Sequence, residues 1–151
     1  MNERRLRTVL LVAALYHLLL GGFMALFPGE FYDSLGKFPP RNDHYIKDVS
    51  TFYIALGIVF YVSARRRSWR TPVLVFTTIE YALHALNHLV DVGDAAGDFT
   101  GWFDFFSLAL LTLIFAALAS FAWRVHPDEP EAERAPEPEP ERTDESLHSG
   151  S

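Results

Sequence analysis

Four apolar runs constrain this chain more than any other feature. They cover about residues 6–27, 48–64, 72–92 and 102–123, and each has roughly the 17 to 25 residues that a helix needs to cross a bilayer core. In lipid, every backbone N–H and C=O must find its partner within the segment, so runs of this kind close as helices. The expected fold is therefore all-α: a polytopic integral membrane protein, built as a four-transmembrane-helix bundle. Half the residues are apolar, and they come in blocks too long for an ordinary soluble core.

The ends of the runs carry their own signals. Arg4, Arg5 and Arg7 precede the first run, and Pro28 with Gly29 ends it. A basic start before an apolar stretch is also the pattern of a signal peptide. Here the run is long, is interrupted by Tyr16 and His17, and lacks a small-x-small cleavage site. Residues 30–35 predict a short interfacial helix stopped by Gly36, with Phe31, Tyr32 and Phe38 at headgroup level. Asn42 or Asp43 is placed to cap the next helix. The second run closes on Arg65, Arg66 and Arg67, then Trp69 and Arg70, and Pro72 suits the first turn of the third. Trp102 and Trp123 bracket the fourth, which Arg124 follows.

Lys and Arg set the orientation. Arg4, Arg5 and Arg7 precede the first run, Arg65, Arg66, Arg67 and Arg70 lie between the second and third, and Arg124 closes the fourth. Lys37, Arg41 and Lys47 between the first and second are spread out and offset by acids, and residues 93–101 carry Asp94 and Asp98 and no basic residue. The positive-inside rule then predicts a multi-pass protein of the plasma or inner membrane, with both termini in the cytoplasm. The formal net charge of −6 belongs to the C-terminus: residues 127–151 hold nine acids and two Arg, leaving the first 126 residues near neutral. That segment, rich in Pro and Glu, is too polar to bury a core and is expected to be a disordered acidic tail, solubilising or docking on a basic cytoplasmic partner. Basic residues gathered at the ends of apolar runs do not form a nucleic-acid surface. The expected surroundings are the lipid bilayer and, through the helix faces, further copies or other subunits. With no Cys in the chain, disulfides, Cys-ligated zinc and iron–sulfur clusters are excluded.

The third run is the unusual one. Residues 77–91 read TTIEYALHALNHLVD. At about 100° per residue, Thr77, Glu80, His84, Asn87, His88 and Asp91 fall within an arc of roughly 100°. Ile79, Ala82, Leu86, Leu89 and Val90 occupy the other side. Ionisable groups at membrane depth are costly and normally face a bundle interior or a wet cavity, so this stripe marks the candidate site. Matching depths, His17 is expected beside Glu80 and His84. The small residues Ala13, Ala14 and Gly21 share its face and are expected to pack the first helix on the third. His17, Glu80, His84 and His88 form the predicted deep cluster; His44, Asp48, Asp91 and Asp104, with His88 and Ser107 nearby, form a predicted outer one. Taken singly, His17 also fits a plain helix–helix hydrogen bond, His44 a solvated interface residue, and Asp104 a charge favoured by a helix N-terminus.

Glu80, His84 and His88 place a carboxylate and two imidazoles on one face, a spacing that suits a divalent transition metal or a proton relay. It is not the HExxH pattern of metalloproteases. Paired His at one depth also admits haem, with no further haem signal. Residues 31–57 read FYDSLGKFPPRNDHYIKDVSTFYIALG and resemble a group of small four-helix bacterial membrane proteins, actinobacterial in type and DoxX-like in layout. The resemblance rests on Phe38 and Pro39, Asn42 and His44, Asp48, and Ala55, Leu56 and Gly57. It implies the four-helix topology and gives weight to His44, Asp48, His84 and His88; the Cys on which redox members of the wider set rely are absent. The expected function is a membrane protein with an outward-opening His/acid site that binds a metal ion or conducts protons. The alternatives are an accessory subunit without chemistry of its own, and a membrane oxidoreductase using haem or quinone.

Overall fold

A computed structural model describes residues 1–125; the acidic C-terminal segment and His126 lie outside the described residues. Five α-helices follow one another: α1 (Glu3–Leu26), α2 (Pro28–Ser34), α3 (Asp43–Arg65), α4 (Arg70–Val90) and α5 (Asp98–Val125). Single 3₁₀ turns at Arg67–Trp69 and Val92–Asp94 join α3 to α4 and α4 to α5. No strand occurs among the described residues. Four helical segments are long and apolar enough to cross a membrane, taking the first 3₁₀ turn together with α4.

The helices begin and end for local reasons. Asn42 Oδ1 accepts from the Tyr45 N–H at 3.1 Å, satisfying one orphan donor of the first turn. Helix α3 therefore starts outside the apolar run that defined it in sequence. The Asn2 side chain caps α1 in the same way, through the Arg5 N–H at 2.9 Å. Pro28 occupies the first turn of α2, where its missing N–H costs nothing. That helix ends where the Leu35 and Gly36 N–H groups both return to Phe31 O.

Helices α1 and α3 pack closely along each other, and so do α4 and α5, while α3 and α4 touch over much less of their length. Close approach needs small residues. A Cβ on Gly21 would lie 2.9 Å from Ile54 N and 3.0 Å from Ser50 O, and one on Gly57 would lie 3.0 Å from Ala14 O. The small face of α1 is thus spent on the second long helix, α3. This corrects the expectation that it packs on the third: connectivity leaves α1 antiparallel to α3, and Gly57 supplies the complementary gap.

An aromatic layer joins the two helix pairs. Phe60 and Phe115 stack at 5.6 Å, Tyr81 and Phe115 sit at 5.3 Å, and His17 lies 5.0 Å from Phe60. Large rings bridge the wider gap that small residues close inside each pair. The distribution of polarity is inverted relative to a water-soluble bundle. His17, Ser50, Ser63, Thr77 and Arg70 are buried, whereas Val12, Leu19, Leu83, Leu86, Phe106 and Leu113 are exposed. Of the most apolar window in each of the four long apolar segments, only 22–33% is buried inside the bundle. Exposed apolar surface on this scale marks contact with another apolar phase or partner.

Candidate functional site

Three side chains of α4 stand one turn apart on one face. Glu80 Oε1 lies 3.6 Å from His84 Nδ1, slightly longer than a hydrogen bond. His84 Nε2 and His88 Nε2 are 3.2 Å apart. Two imidazole nitrogens can share a hydrogen bond only if one carries the proton. A carboxylate facing His84 Nδ1 favours the proton on that nitrogen, which leaves His84 Nε2 as acceptor and makes His88 Nε2–H the donor. The ladder therefore has a direction: His88 donates toward His84, and His84 points its N–H at Glu80. Both of its ends are open. Glu80 Oε2 and His88 Nδ1 are buried acceptors without a hydrogen-bond partner among the described residues, and buried polar atoms left in this way are uncommon enough to require an explanation.

The outer half of the ladder opens into a cavity of about 330 Å³, at the end of the bundle that carries α2. His84, Asn87, His88 and Asp91 form its polar wall, and Leu20, Met24, Phe31, Phe38, Val49 and Tyr53 supply most of the apolar remainder. The Phe38 ring meets His88 edge to face at 4.8 Å, and a bond from the Ala96 N–H to Lys37 O at 2.8 Å ties the two loops at that end. A largely apolar pocket with a few convergent polar groups is the usual form of a small-molecule site.

The residues singled out in sequence are distributed as follows. His17 is fully buried, but it is not hydrogen-bonded to the stripe. Its Nδ1 donates to Ala13 O at 2.7 Å and its Nε2 accepts from the Tyr81 hydroxyl at 3.0 Å. Both nitrogens are thereby used, so His17 ties α1 to α4 as a neutral imidazole. Glu80 is within electrostatic reach of it and makes no hydrogen bond to it. Thr77 is buried too, with its hydroxyl turned back to Val73 O at 2.8 Å.

The outer cluster does not converge. His44 Nε2 and Asp48 Oδ2 pair with each other at 3.4 Å, with 87% and 62% of their side chains exposed. Tyr45, Ile46, Val49 and Tyr53 turn the other face of α3 toward the cavity, so His44 and Asp48 point away from it. Asp91 lines the cavity, and Asp104 interacts electrostatically with His84 from α5. No group of three or more His, Asp or Glu that could hold a metal ion occurs among the described residues.

Tyr53, Tyr45, Phe31 and Phe38 were not singled out as site residues. The 45/49/53 spacing, an i, i+4, i+8 row on one helix face, was the available signal. Comparison with protein-family models, curated proteins and solved structures finds no match to this chain.

Proposed function

We propose that the chain is a multi-pass membrane protein of the plasma or inner membrane, with both termini cytoplasmic. In this reading its outward-opening pocket binds a small amphipathic molecule and exchanges a proton with it. The membrane part is supported by the apolar exterior around a polar interior and by the grouping of Arg at one end of the helices. The resemblance to DoxX-like proteins belongs with the same layout and the same emphasis on His84 and His88.

The observation that carries the site is the pair of buried acceptors at the two ends of the ladder, His88 Nδ1 and Glu80 Oε2. His88 Nδ1 is out of solvent contact in the resting structure, so a ligand hydroxyl donates to it only after the His88 ring shifts toward the pocket that it lines, with the ligand's apolar part against Phe31, Phe38 and Tyr53. Proton transfer then conserves every atom. The hydroxyl proton moves to His88 Nδ1, the His88 Nε2 proton to His84 Nε2, and the His84 Nδ1 proton to Glu80. The ligand is left anionic, Glu80 is left neutral, and each imidazole has changed tautomer. Metal binding is not part of the proposal, because His17 spends both nitrogens on other partners and His44 and Asp48 face away.

The test uses a 4-alkylphenol as probe and calorimetry of the detergent-purified protein in buffers of different ionisation enthalpy. Because the ligand's proton stays in the complex on Glu80, binding with no net proton exchange with the buffer, and with the red-shifted ultraviolet absorption of a bound phenolate, is expected. Replacing His88 by Ala should weaken it about tenfold, the worth of roughly one lost hydrogen bond to a buried partner. Equal binding by the His88→Ala variant would remove the ladder from the site and leave the accessory-subunit reading.

A further inference from the structure

At the opposite end of the bundle from the pocket, four elements bring arginines together. Arg4 and Arg7 of α1, Arg65 at the end of α3, Arg67 of the following turn and Arg70 of α4 surround a cavity of about 480 Å³, with Glu3 on its wall. Arg70 is held rigidly: only 5% of its side chain is exposed, its Nη1 donates to Glu3 Oε2 at 2.6 Å and its Nε to Ser63 O at 3.3 Å. Arg67 Nε lies 3.5 Å from the same carboxylate oxygen. Arg4, Arg7 and Arg65 have no carboxylate at ion-pair distance among the described residues. Five guanidiniums around one carboxylate leave a strongly positive lining that an anion would relieve, and Arg offers the donor fork that suits phosphate oxygens.

A second observation bears on the kind of anion. Phe52, Ala55, Val59, Trp69, Pro72 and Phe76 line an almost wholly apolar groove of about 330 Å³ between α3 and α4, two helices that touch each other much less than α1 touches α3 or α4 touches α5. Trp69 borders the groove and Arg70 borders the basic cavity. The two sites therefore meet at consecutive residues, a charged one at the end of the helices and an apolar one along their length.

We propose that this end of the protein binds an anionic phospholipid, with its phosphate headgroup in the arginine cavity and an acyl chain in the α3–α4 groove. The proposal rests on the membrane reading given above. Basic pockets between helices on the cytoplasmic side are suited to such headgroups. The lipid's charge complements the lining, and its chain covers an apolar groove that an aqueous ion would leave bare.

The full chain, purified in neutral detergent, is titrated with phosphatidylglycerol or phosphatidylcholine in mixed micelles, and bound lipid is counted by native mass spectrometry. Inorganic phosphate is titrated in parallel. Phosphatidylglycerol should be preferred about tenfold or more, and the preference should shrink with added salt. The double variant R65Q/R67Q should lose about tenfold more affinity than R66Q/R124Q, which removes the same two charges from exposed positions outside the lining. Ala55→Trp, placed at an exposed position, should block the groove and weaken lipid binding while leaving any binding of inorganic phosphate unchanged.

Equal loss in the two double variants, or no preference over phosphatidylcholine, overturns the proposal. So does lipid binding that ignores Ala55→Trp, which would assign the cavity to a free anion. A preference that emerges only in the full-length E129Q/E131Q/E133Q variant overturns it as well, because the chain's own acidic segment would then be the occupant. Resistance to alkaline carbonate extraction is checked for every variant. A chain that inserts but shows no lipid preference fails this proposal alone, whereas one that does not insert fails the membrane reading.

Discussion

Replacing Tyr81 by Phe removes one hydroxyl from the centre of the bundle. That hydroxyl donates to His17 Nε2 at 3.0 Å, and both residues are almost wholly buried. The ring remains to pack on Phe115 at 5.3 Å, so the change isolates the hydrogen bond and the acceptor it strands. Interhelical hydrogen bonds in membranes average about 0.6 kcal/mol and reach about 1.7, and a stranded buried acceptor adds to the loss; about 1–2 kcal/mol is expected. His17→Leu loses the same bond, the bond to Ala13 O and the ring contact with Phe60, for about 2–3 kcal/mol by the same measures. The double variant counts the shared bond once and should fall short of the sum by about 1 kcal/mol. The comparison cycle pairs His17→Leu with Glu80→Gln. Since a neutral His17 makes no hydrogen bond to Glu80, coupling there should stay below about 0.5 kcal/mol. Unfolding in mixed micelles with increasing SDS gives all the values. Additivity of His17→Leu with Tyr81→Phe, or stronger coupling to Glu80 than to Tyr81, would refute the assignment of His17 as a tie between α1 and α4.

Other expectations can be checked in the same preparations. Gly57→Leu should force α1 away from α3, because its side chain would enter the space of Leu18 and the Ala14 carbonyl. A loss of about 1–3 kcal/mol in the same unfolding assay, or failure to fold, is expected. Glu3→Gln leaves the buried Arg70 guanidinium facing a neutral partner. Because Glu3 itself reaches solvent, the cost should be nearer 1–3 kcal/mol than the roughly 3–5 of a fully buried pair. Changing His44 to Ala and Asp48 to Asn, both solvent-facing, should move stability by no more than about 0.5 kcal/mol and leave alkylphenol binding intact. A reporter that fluoresces only in the cytoplasm should glow when fused after Ser151 and stay dark when inserted between residues 94 and 97.

The sequence by itself determined the helices. Runs of about twenty apolar residues, Asn42 as a cap, Pro28 at the close of the first run and Trp at the ends of the fourth run all act within one segment, and local hydrogen bonding obeys them wherever the segment sits. It determined the ladder for the same reason: Glu80, His84 and His88 share a helix face by spacing alone, while the side-chain rotamers that bring them to 3.2 and 3.6 Å were selected by packing. Which helix meets which was left to tertiary packing. The Ala14/Gly21 face of α1 is equally suited to any neighbour that offers a gap, and Gly57 with the Ser50 carbonyl on α3 provided it. That choice turned His17 toward Tyr81 rather than into the acidic stripe. Rotation about α3 decided the rest. Residues one position apart on a helix lie about 100° apart, so a small turn of the helix sends His44 and Asp48 outward while Tyr45, Val49 and Tyr53 line the cavity. Depth can be read from a sequence by counting residues, but the azimuth of a helix is set by the side chains of its neighbours, and those are assembled only in the folded bundle.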